Sequence, residues 1–225
     1  MTRLLLISSS NVHGYGFLDH SEAEMRRILD GKRSIAFVPF AAADHDGYTA
    51  TVRERFARMG FAVTQVRDAR DVAHAEAIFI GGGNTFRLLK TLYDRSLLDP
   101  IRMRANAGVP YIGSSAGTNV ATPTIRTTND MPIVYPPSFD ALALVPYQVN
   151  PHYLDVDADS THKGETREDR IREFHEENAT PVIGLREGSM LRVDDGITTL
   201  VGDHKARLFR RGEEPAEVPA GVITI

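Results

Sequence analysis

The chain has 225 residues, 42% of them hydrophobic, and its 26 basic and 30 acidic residues give a net charge of −4. This length and apolar content suffice for one substantial core. No Pro/Gly/Ser-rich linker divides the chain, which predicts one domain over residues 1–225. The charges are spread along the sequence without a basic stripe, which argues against nucleic acid or a membrane surface as partner and favours small molecules or proteins.

Cysteine is absent, which excludes disulfides, thiolate metal sites and a cysteine nucleophile, so serine is the leading candidate for covalent catalysis. The N-terminal apolar run Leu4–Ile7 is too short for the hydrophobic region of a signal peptide, and no other segment approaches the length of a membrane span. We therefore expect a cytoplasmic protein.

The first half of the sequence alternates short apolar runs of strand length with amphipathic stretches of helix length. The predicted strands are Leu4–Ile7, Ile35–Phe40, Phe61–Val66, Ala77–Ile80 and Pro110–Gly113, and the predicted helices are Glu22–Leu29, Tyr48–Met59, Thr85–Tyr93 and Ile101–Ala107. Because the runs are continuously apolar, the strands are expected to be covered on both faces. This pattern predicts an α/β fold, a three-layer sandwich with a mostly parallel central sheet.

The pattern changes after residue 140. The segment Leu142–Val149 is predicted as a strand and the charged segment Gly164–Asn178 as a helix. Four further strands, separated by turns, are predicted at Pro181–Leu185, Met190–Val193, Thr198–Val201 and Ala206–Phe209. Their spacing predicts an antiparallel C-terminal meander.

The pentapeptide Gly113–Gly117 reads G-x-S-x-G and directly follows the apolar run Val109–Ile112. In a strand-turn-helix context this pattern forces the central serine into a strained conformation that exposes its hydroxyl group. Ser115 is therefore the candidate nucleophile. The alternative is an ordinary strand-to-helix loop.

A glycine turn, Gly81-Gly82-Gly83-Asn84, follows the predicted strand Ala77–Ile80. It matches neither the Walker loop nor the dinucleotide fingerprint, so phosphate binding is a minor alternative. Its peptide N–H groups could instead stabilise the oxyanion of a tetrahedral intermediate, with Gly83 and Ala116 as the donor pair. The glycines could also serve only to let a strand and a helix pack closely.

Among eight histidines, His152 is the candidate base, because it follows a predicted strand and Pro151 stiffens the turn before it. A turn histidine without catalytic function is the alternative. Glu187, also after a predicted strand, is the candidate acid that orients the imidazole, with Asp130 and Asp155 as rivals.

Two further features allow more than one interpretation. Arg167 and Arg170 are either surface cations or a clamp for a substrate carboxylate. The stretch Asp155–Ser160 departs from a calcium loop and is interpreted as a solvated acidic loop.

Several blocks of this sequence resemble the peptidase E, or α-aspartyl dipeptidase, family, nearly from end to end. They are Ile80–Phe86, Tyr111–Gly117, Thr124–Val134, Asn150–His152 and His162–Arg167. The resemblance implies a cytoplasmic serine peptidase that removes an N-terminal aspartate from dipeptides. It also implies a fold related to the class I glutamine amidotransferases and a Ser–His–Glu triad.

The family's functional positions fall on specific residues of this chain. The resemblance assigns Ser115 as nucleophile, His152 as base, Glu187 as acid, and Gly83 and Ala116 as oxyanion donors. Arg167 matches the family's arginine proposed to bind the aspartyl carboxylate, and Asn84 is a further candidate for substrate binding. A small peptide is the implied substrate, with neither metal nor organic cofactor. The protein is expected as a monomer or homodimer.

Two other functions remain open at this point. One is a cyanophycinase-like peptidase of related fold that acts on β-aspartyl linkages, although the block Thr127–Val134 together with Arg167 fits the dipeptidase better. The other is a small-molecule-binding module in which Ser115 is not reactive.

Overall fold

A computed structural model describes residues 2–155 and 164–225. The strands are β1 Arg3–Ile7, β2 Ser34–Val38, β3 Ala62–Gln65, β4 Ile78–Ile80, β5 Tyr111–Ser114, β6 Gln148–Pro151, β7 Val182–Leu185, β8 Met190–Asp194, β9 Ile197–Val201, β10 Ala206–Phe209, β11 Ala216–Val218 and β12 Gly221–Ile223. The helices are α1 Glu22–Ile28, α2 His45–Arg58, α3 Ala69–Ala73, α4 Thr85–Asp94, α5 Leu98–Asn106, α6 Ala116–Asn119 and α7 Arg167–Glu177.

Eight strands form the larger sheet, in the order β12-β9-β8-β1-β5-β4-β2-β3. The five strands β1, β5, β4, β2 and β3 are parallel to one another, whereas β8, β9 and β12 extend the sheet beyond β1 in antiparallel fashion. The predicted α/β architecture with a mostly parallel sheet is confirmed.

The larger sheet is buried on both faces, as its continuous apolar strands predict. In β1, Leu4 and Leu6 belong to one buried hydrophobic cluster, and Leu5 and Ile7 belong to another. Helix α4 packs on the first cluster, and helix α2 packs on the second through residues such as Phe56. Helices on both faces give the three layers.

The carboxyl ends of the central parallel strands lie side by side. Ile7, the last residue of β1, pairs with Ser114, the last residue of β5, and Ile80 at the end of β4 pairs with Gly113. The segments that follow these strands therefore meet at one edge of the sheet, where open α/β sheets bind ligands.

The four predicted C-terminal strands exist, and β8 pairs with β9 in antiparallel fashion as predicted, but the four strands do not form one continuous meander. β7 lies in a second sheet, of order β11-β10-β7-β6, while β8 pairs with β1 of the larger sheet. The chain therefore crosses from one sheet to the other between residues 185 and 190. The free edge of β1 offers hydrogen-bond partners to β8, which a pattern based on neighbouring segments does not reveal.

The predicted strand Leu142–Val149 is also wrong over most of its length, because β6 covers only Gln148–Pro151. Residues 142–147 form a mostly buried loop whose amides donate to carbonyls of the turn after α6, for example the Leu142 amide to the carbonyl of Val120 at 2.9 Å. Ala143 has φ 50°, and Pro146 lacks an amide donor, so neither fits a regular strand.

Most of the acidic stretch Asp155–Ser160 lies outside the described residues, as do His162 and Lys163 of the last resemblance block. In the parts of the chain that are described, no helix is sufficiently long and apolar to span a membrane.

Candidate active site

Ser115 forms the predicted strained turn between β5 and α6. Its backbone has φ 53° and ψ −109°, which an L-residue rarely adopts, and its amide donates to the carbonyl of Ile7 at 3.0 Å. A Cβ on Gly117 would lie 2.1 Å from the carbonyl oxygen of Ile80, so only glycine allows the helix start to pack so closely on β4. The turn exposes the Ser115 hydroxyl group at the edge of the sheet.

His152 follows β6 and faces Ser115 from the second sheet. The distance between Ser115 Oγ and His152 Nε2 is 2.8 Å. His152 also has a positive φ, 54°, which turns the chain after Pro151 and directs the imidazole toward the larger sheet. The two side chains are thus within proton-transfer distance.

Glu187 lies two residues beyond β7, beside His152, because β6 and β7 are parallel neighbours. Its Oε1 atom is 2.7 Å from His152 Nδ1. The rival carboxylates have other partners: Asp130 accepts from the Thr85 amide at 2.7 Å, and Asp155 pairs with Arg186 at 2.6 Å. Of the three candidate acids, the structure brings Glu187 to the imidazole.

The glycine turn after β4 lies against Ser115. A Cβ on Gly82 would be 3.1 Å from the Ser115 Cβ, and the Gly82 amide donates to the Tyr48 hydroxyl at 2.9 Å. Gly83 has φ 132°, and a Cβ there would be 2.5 Å from the carbonyl oxygen of Ala41. Among the described residues, the Gly83 and Ala116 amides have no hydrogen-bond acceptor. Both remain candidate oxyanion donors.

Ser8, which sequence reasoning did not identify, connects the two sheets beneath the histidine. Its Oγ accepts from the His152 amide at 2.9 Å and donates to the carbonyl of Leu185 at 2.7 Å, and its side chain is buried. The available signal was its position, directly after a predicted strand at the edge where Ser115 lies. Ser8 thus links the end of β1 to the turn that carries the imidazole.

We expect Ser8→Ala to reduce both stability and turnover. The variant leaves the partly buried His152 amide without its acceptor and removes one of the two donors to the Leu185 carbonyl, which the Tyr153 amide still reaches at 3.1 Å. This should cost about 1–3 kcal/mol in the free energy of unfolding, and it removes the bond that holds the His152 backbone in position. Ser189→Ala is the matched control, because buried Ser189 donates a 3.0 Å bond to the carbonyl of His204 and does not contact His152. Urea denaturation measures the loss of stability in each variant, and kcat should fall in Ser8→Ala but not in Ser189→Ala. Equal kcat in both variants would show that Ser8 has no positioning role.

Arg167 is the first residue of α7, and Thr166 caps the helix in a reciprocal pair with Asp169. Burial is the main cause that lowers the pKa of the half-buried Arg167, and the charge of Arg170 adds to it, whereas Asp130 raises the pKa. The guanidinium is thus within electrostatic reach of Asp130, which also bonds the first turn of α4.

Asn84 and Arg170 have clear structural contacts of their own. Asn84 caps α4 by accepting from the Arg87 amide at 3.0 Å, and its Nδ2 donates to the carbonyl of Met131 at 2.9 Å. A substrate-binding role for Asn84 therefore stays a prediction. Exposed Arg170 lies 3.5 Å from Glu165.

Two cavities lie near these residues. One, of about 320 Å³, includes Ser115, His152 and Gly83 in its lining. A larger one, of about 560 Å³, lies between residues 125–139 and α7, and neither Ser115, His152 nor Glu187 lines it. The smaller cavity is in contact with the hydrogen-bonded Ser–His pair, which makes it the candidate active-site cavity.

Residues 4–201 match peptidase family S51. The chain belongs to peptidase family S51. It is 54% identical over 222 residues to peptidase E of Streptomyces coelicolor, covering 97% of this chain and 91% of that protein. It is 52% identical to a probable alpha-aspartyl dipeptidase of Drosophila melanogaster, covering 92% and 89%.

Solved structures related to this S51 chain support the fold. A putative peptidase E from Listeria monocytogenes superposes with a TM-score of 0.69 at 21% identity, over 90% of this chain and 99% of that one. A peptidase from an acI-B1 actinobacterium gives 0.71 at 20% identity, over 100% and 97%. The resemblance stated from the sequence is confirmed, and with it the prediction of a peptidase on an α/β fold.

Proposed function

We propose that this S51 peptidase hydrolyses dipeptides with an N-terminal aspartate through Ser115, His152 and Glu187. The observation that carries the proposal is the continuous contact from Ser115 Oγ to His152 Nε2, 2.8 Å, and from His152 Nδ1 to Glu187, 2.7 Å. A serine, a base and a group that orients the base are the parts that acyl transfer requires.

The proposed reaction proceeds through an acyl-enzyme. Ser115 Oγ attacks the peptide carbonyl carbon while its proton passes to His152 Nε2, and the Gly83 and Ala116 amides bind the oxyanion. The C–N bond then breaks, and His152 gives the proton to the departing amine. Water, deprotonated by His152, attacks the ester carbonyl, and return of the proton to Ser115 Oγ releases aspartate. Glu187 keeps the Nδ1 proton of the imidazole in place throughout.

A panel of four dipeptides tests the activity and the choice of linkage together: Asp-Leu, Asn-Leu, Glu-Leu and the β-linked isomer of Asp-Leu. We expect hydrolysis of Asp-Leu to dominate. Hydrolysis of the β-linked isomer alone would assign the cyanophycinase-like activity instead. A serine-reactive phosphonate supplies a second readout, because labelling at Ser115 excludes a binding module without catalysis.

For substrate selection, we expect Arg167→Met to reduce kcat/KM for Asp-Leu strongly. Loss of a charged hydrogen-bond donor to a carboxylate costs roughly 2 kcal/mol or more, which corresponds to about 30-fold. Because asparagine carries no charge, the variant should also narrow the preference for Asp-Leu over Asn-Leu.

Arg170→Met is the matched control, since Arg170 is exposed and lies beside Glu165. Arg170→Met should change neither kcat/KM for Asp-Leu nor the preference for Asp-Leu over Asn-Leu by much. A folded Arg167→Met variant that keeps the full preference for aspartate would remove Arg167 from substrate recognition, leaving Asn84 or residues around Thr127 as the next candidates.

We further propose that the protein acts in the cytoplasm on small peptides, as the family resemblance implies, and that it is a monomer or homodimer. Gel filtration with light scattering measures the oligomeric state.

A further inference from the structure

The cavity of about 320 Å³ beside Ser115 is lined in part by residues to which the catalytic assignment gives no role. Besides Ser115 and His152, its lining includes Phe17, Tyr48, Ala42 and Asn11. Ligand pockets usually measure about 300–1,000 Å³, so this one is at the small end and suits a single amino-acid residue.

The aromatic wall of this cavity is held rigidly. The Tyr48 ring contacts Phe17 edge-on, with centroids 6.3 Å apart, and Phe37 at 5.1 Å. The Tyr48 hydroxyl accepts a hydrogen bond from the Gly82 amide. Burial raises the pKa of this hydroxyl, so the side chain stays uncharged.

Phe17 belongs to a loop that is also fixed. Buried Arg55 donates to the carbonyl of Phe17 at 2.9 Å and forms ion pairs with Asp19 and Glu22 at 3.0 and 2.7 Å. The wall is therefore preformed and does not have to be ordered when a ligand binds.

The chemistry of the lining decides which half of the substrate it accepts. Neither arginine nor lysine contributes to the lining. An aspartyl carboxylate placed there would lose hydration without a permanent positive charge to compensate, whereas an apolar side chain would gain from burial. Arg167 and Asp130, which lie toward the start of α4, are not part of this cavity.

The reaction gives the same assignment independently. The group that protonates the departing amine must face the departing residue, and His152 lines this cavity together with Ser115. On the basis of the proposed dipeptidase function, we propose that this cavity binds the residue released from the dipeptide and that Phe17, Tyr48 and Ala42 select apolar side chains. Asn11, whose side chain is exposed, lines the same cavity and offers an amide N–H donor for the carboxylate of that residue.

The test compares kcat/KM for Asp-Leu with kcat/KM for Asp-Gly on the same enzyme sample, so that any unfolded fraction cancels in the ratio. We expect the wild-type protein to favour Asp-Leu by at least about tenfold, since apolar contacts in a substrate pocket commonly give this discrimination. Phe17→Ala removes part of the wall and should reduce the ratio several-fold.

A second variant tests the same cavity in the opposite direction. Ala42→Leu adds bulk to the lining and should lower kcat/KM for Asp-Phe much more than for Asp-Gly. Phe61→Ala is the matched control: Phe61 is also a partly buried member of the cluster that contains Phe17, but it precedes β3 at the opposite edge of the sheet. Phe61→Ala should leave the ratio of kcat/KM for Asp-Leu to that for Asp-Gly unchanged, and likewise the ratio for Asp-Phe to Asp-Gly.

The outcomes separate the two proposals. Equal rates for Asp-Leu and Asp-Gly in the wild type, or ratios unaffected by both Phe17→Ala and Ala42→Leu, would overturn the assignment of the cavity while the dipeptidase function stands. Absence of hydrolysis for every Asp-Xaa dipeptide would overturn the proposed function and the subsite with it.

Discussion

Replacement of Ser115 by alanine is expected to leave the protein folded and to lower turnover of Asp-Leu by about a millionfold, the usual scale for loss of a nucleophile that acts with a base. Without Oγ no acyl-enzyme forms. The backbone of the turn keeps its 3.0 Å bond to Ile7, and the side chain is half-buried, so little packing is lost. Rates at high enzyme concentration and a thermal melt measure the two effects.

Ser114→Ala is the control for this variant. The Ser114 side chain is fully buried, and its Oγ lies 2.7 Å from that of Ser10, so the change should cost about 1 kcal/mol of stability and leave hydrolysis largely intact. An inactive, folded Ser114→Ala beside an active Ser115→Ala would mean that the nucleophile has been assigned to the wrong serine.

His152→Ala should be nearly as inactive as the serine variant, because members of such a unit do not contribute additively. The imidazole takes part in both proton transfers, so its loss affects formation and hydrolysis of the acyl-enzyme. Single-turnover measurements with Asp-Leu, together with phosphonate labelling of Ser115, report on these steps.

Glu187→Gln serves as the graded comparison. It should retain the fold and lose less than His152→Ala, since an orienting acid accounts for about 10⁴ of the rate in related constellations. The Glu187 side chain is 46% exposed, so water can replace part of its effect. Full activity in Glu187→Gln together with a folded but inactive Asp130→Asn would transfer the role to Asp130.

Sequence reasoning predicts the features that depend on local pattern. The turn at Ser115 could be located because an apolar strand, small residues and a helix start follow one another within ten residues. The parallel sheet could be inferred because each central strand is apolar on both faces.

Features that depend on distant contacts could not be predicted in this way. The pairing of β8 with β1, the bond from the His152 amide to Ser8, and the contact between Phe17 and Tyr48 all join segments that are far apart in the sequence. The loop at residues 142–147 looks like a strand because it is apolar, but its burial arises from contacts with the turn after α6. Apolar composition reports burial and does not specify backbone conformation.

The proposed nucleophile and its base belong to different sheets, and the chain crosses between them immediately after Glu187. A small sliding of one sheet over the other would lengthen the 2.8 Å contact between Ser115 and His152 while leaving every strand intact. Peptidase activity should therefore be a finer measure of native packing than circular dichroism, and during partial denaturation the reaction should stop while secondary structure is still complete.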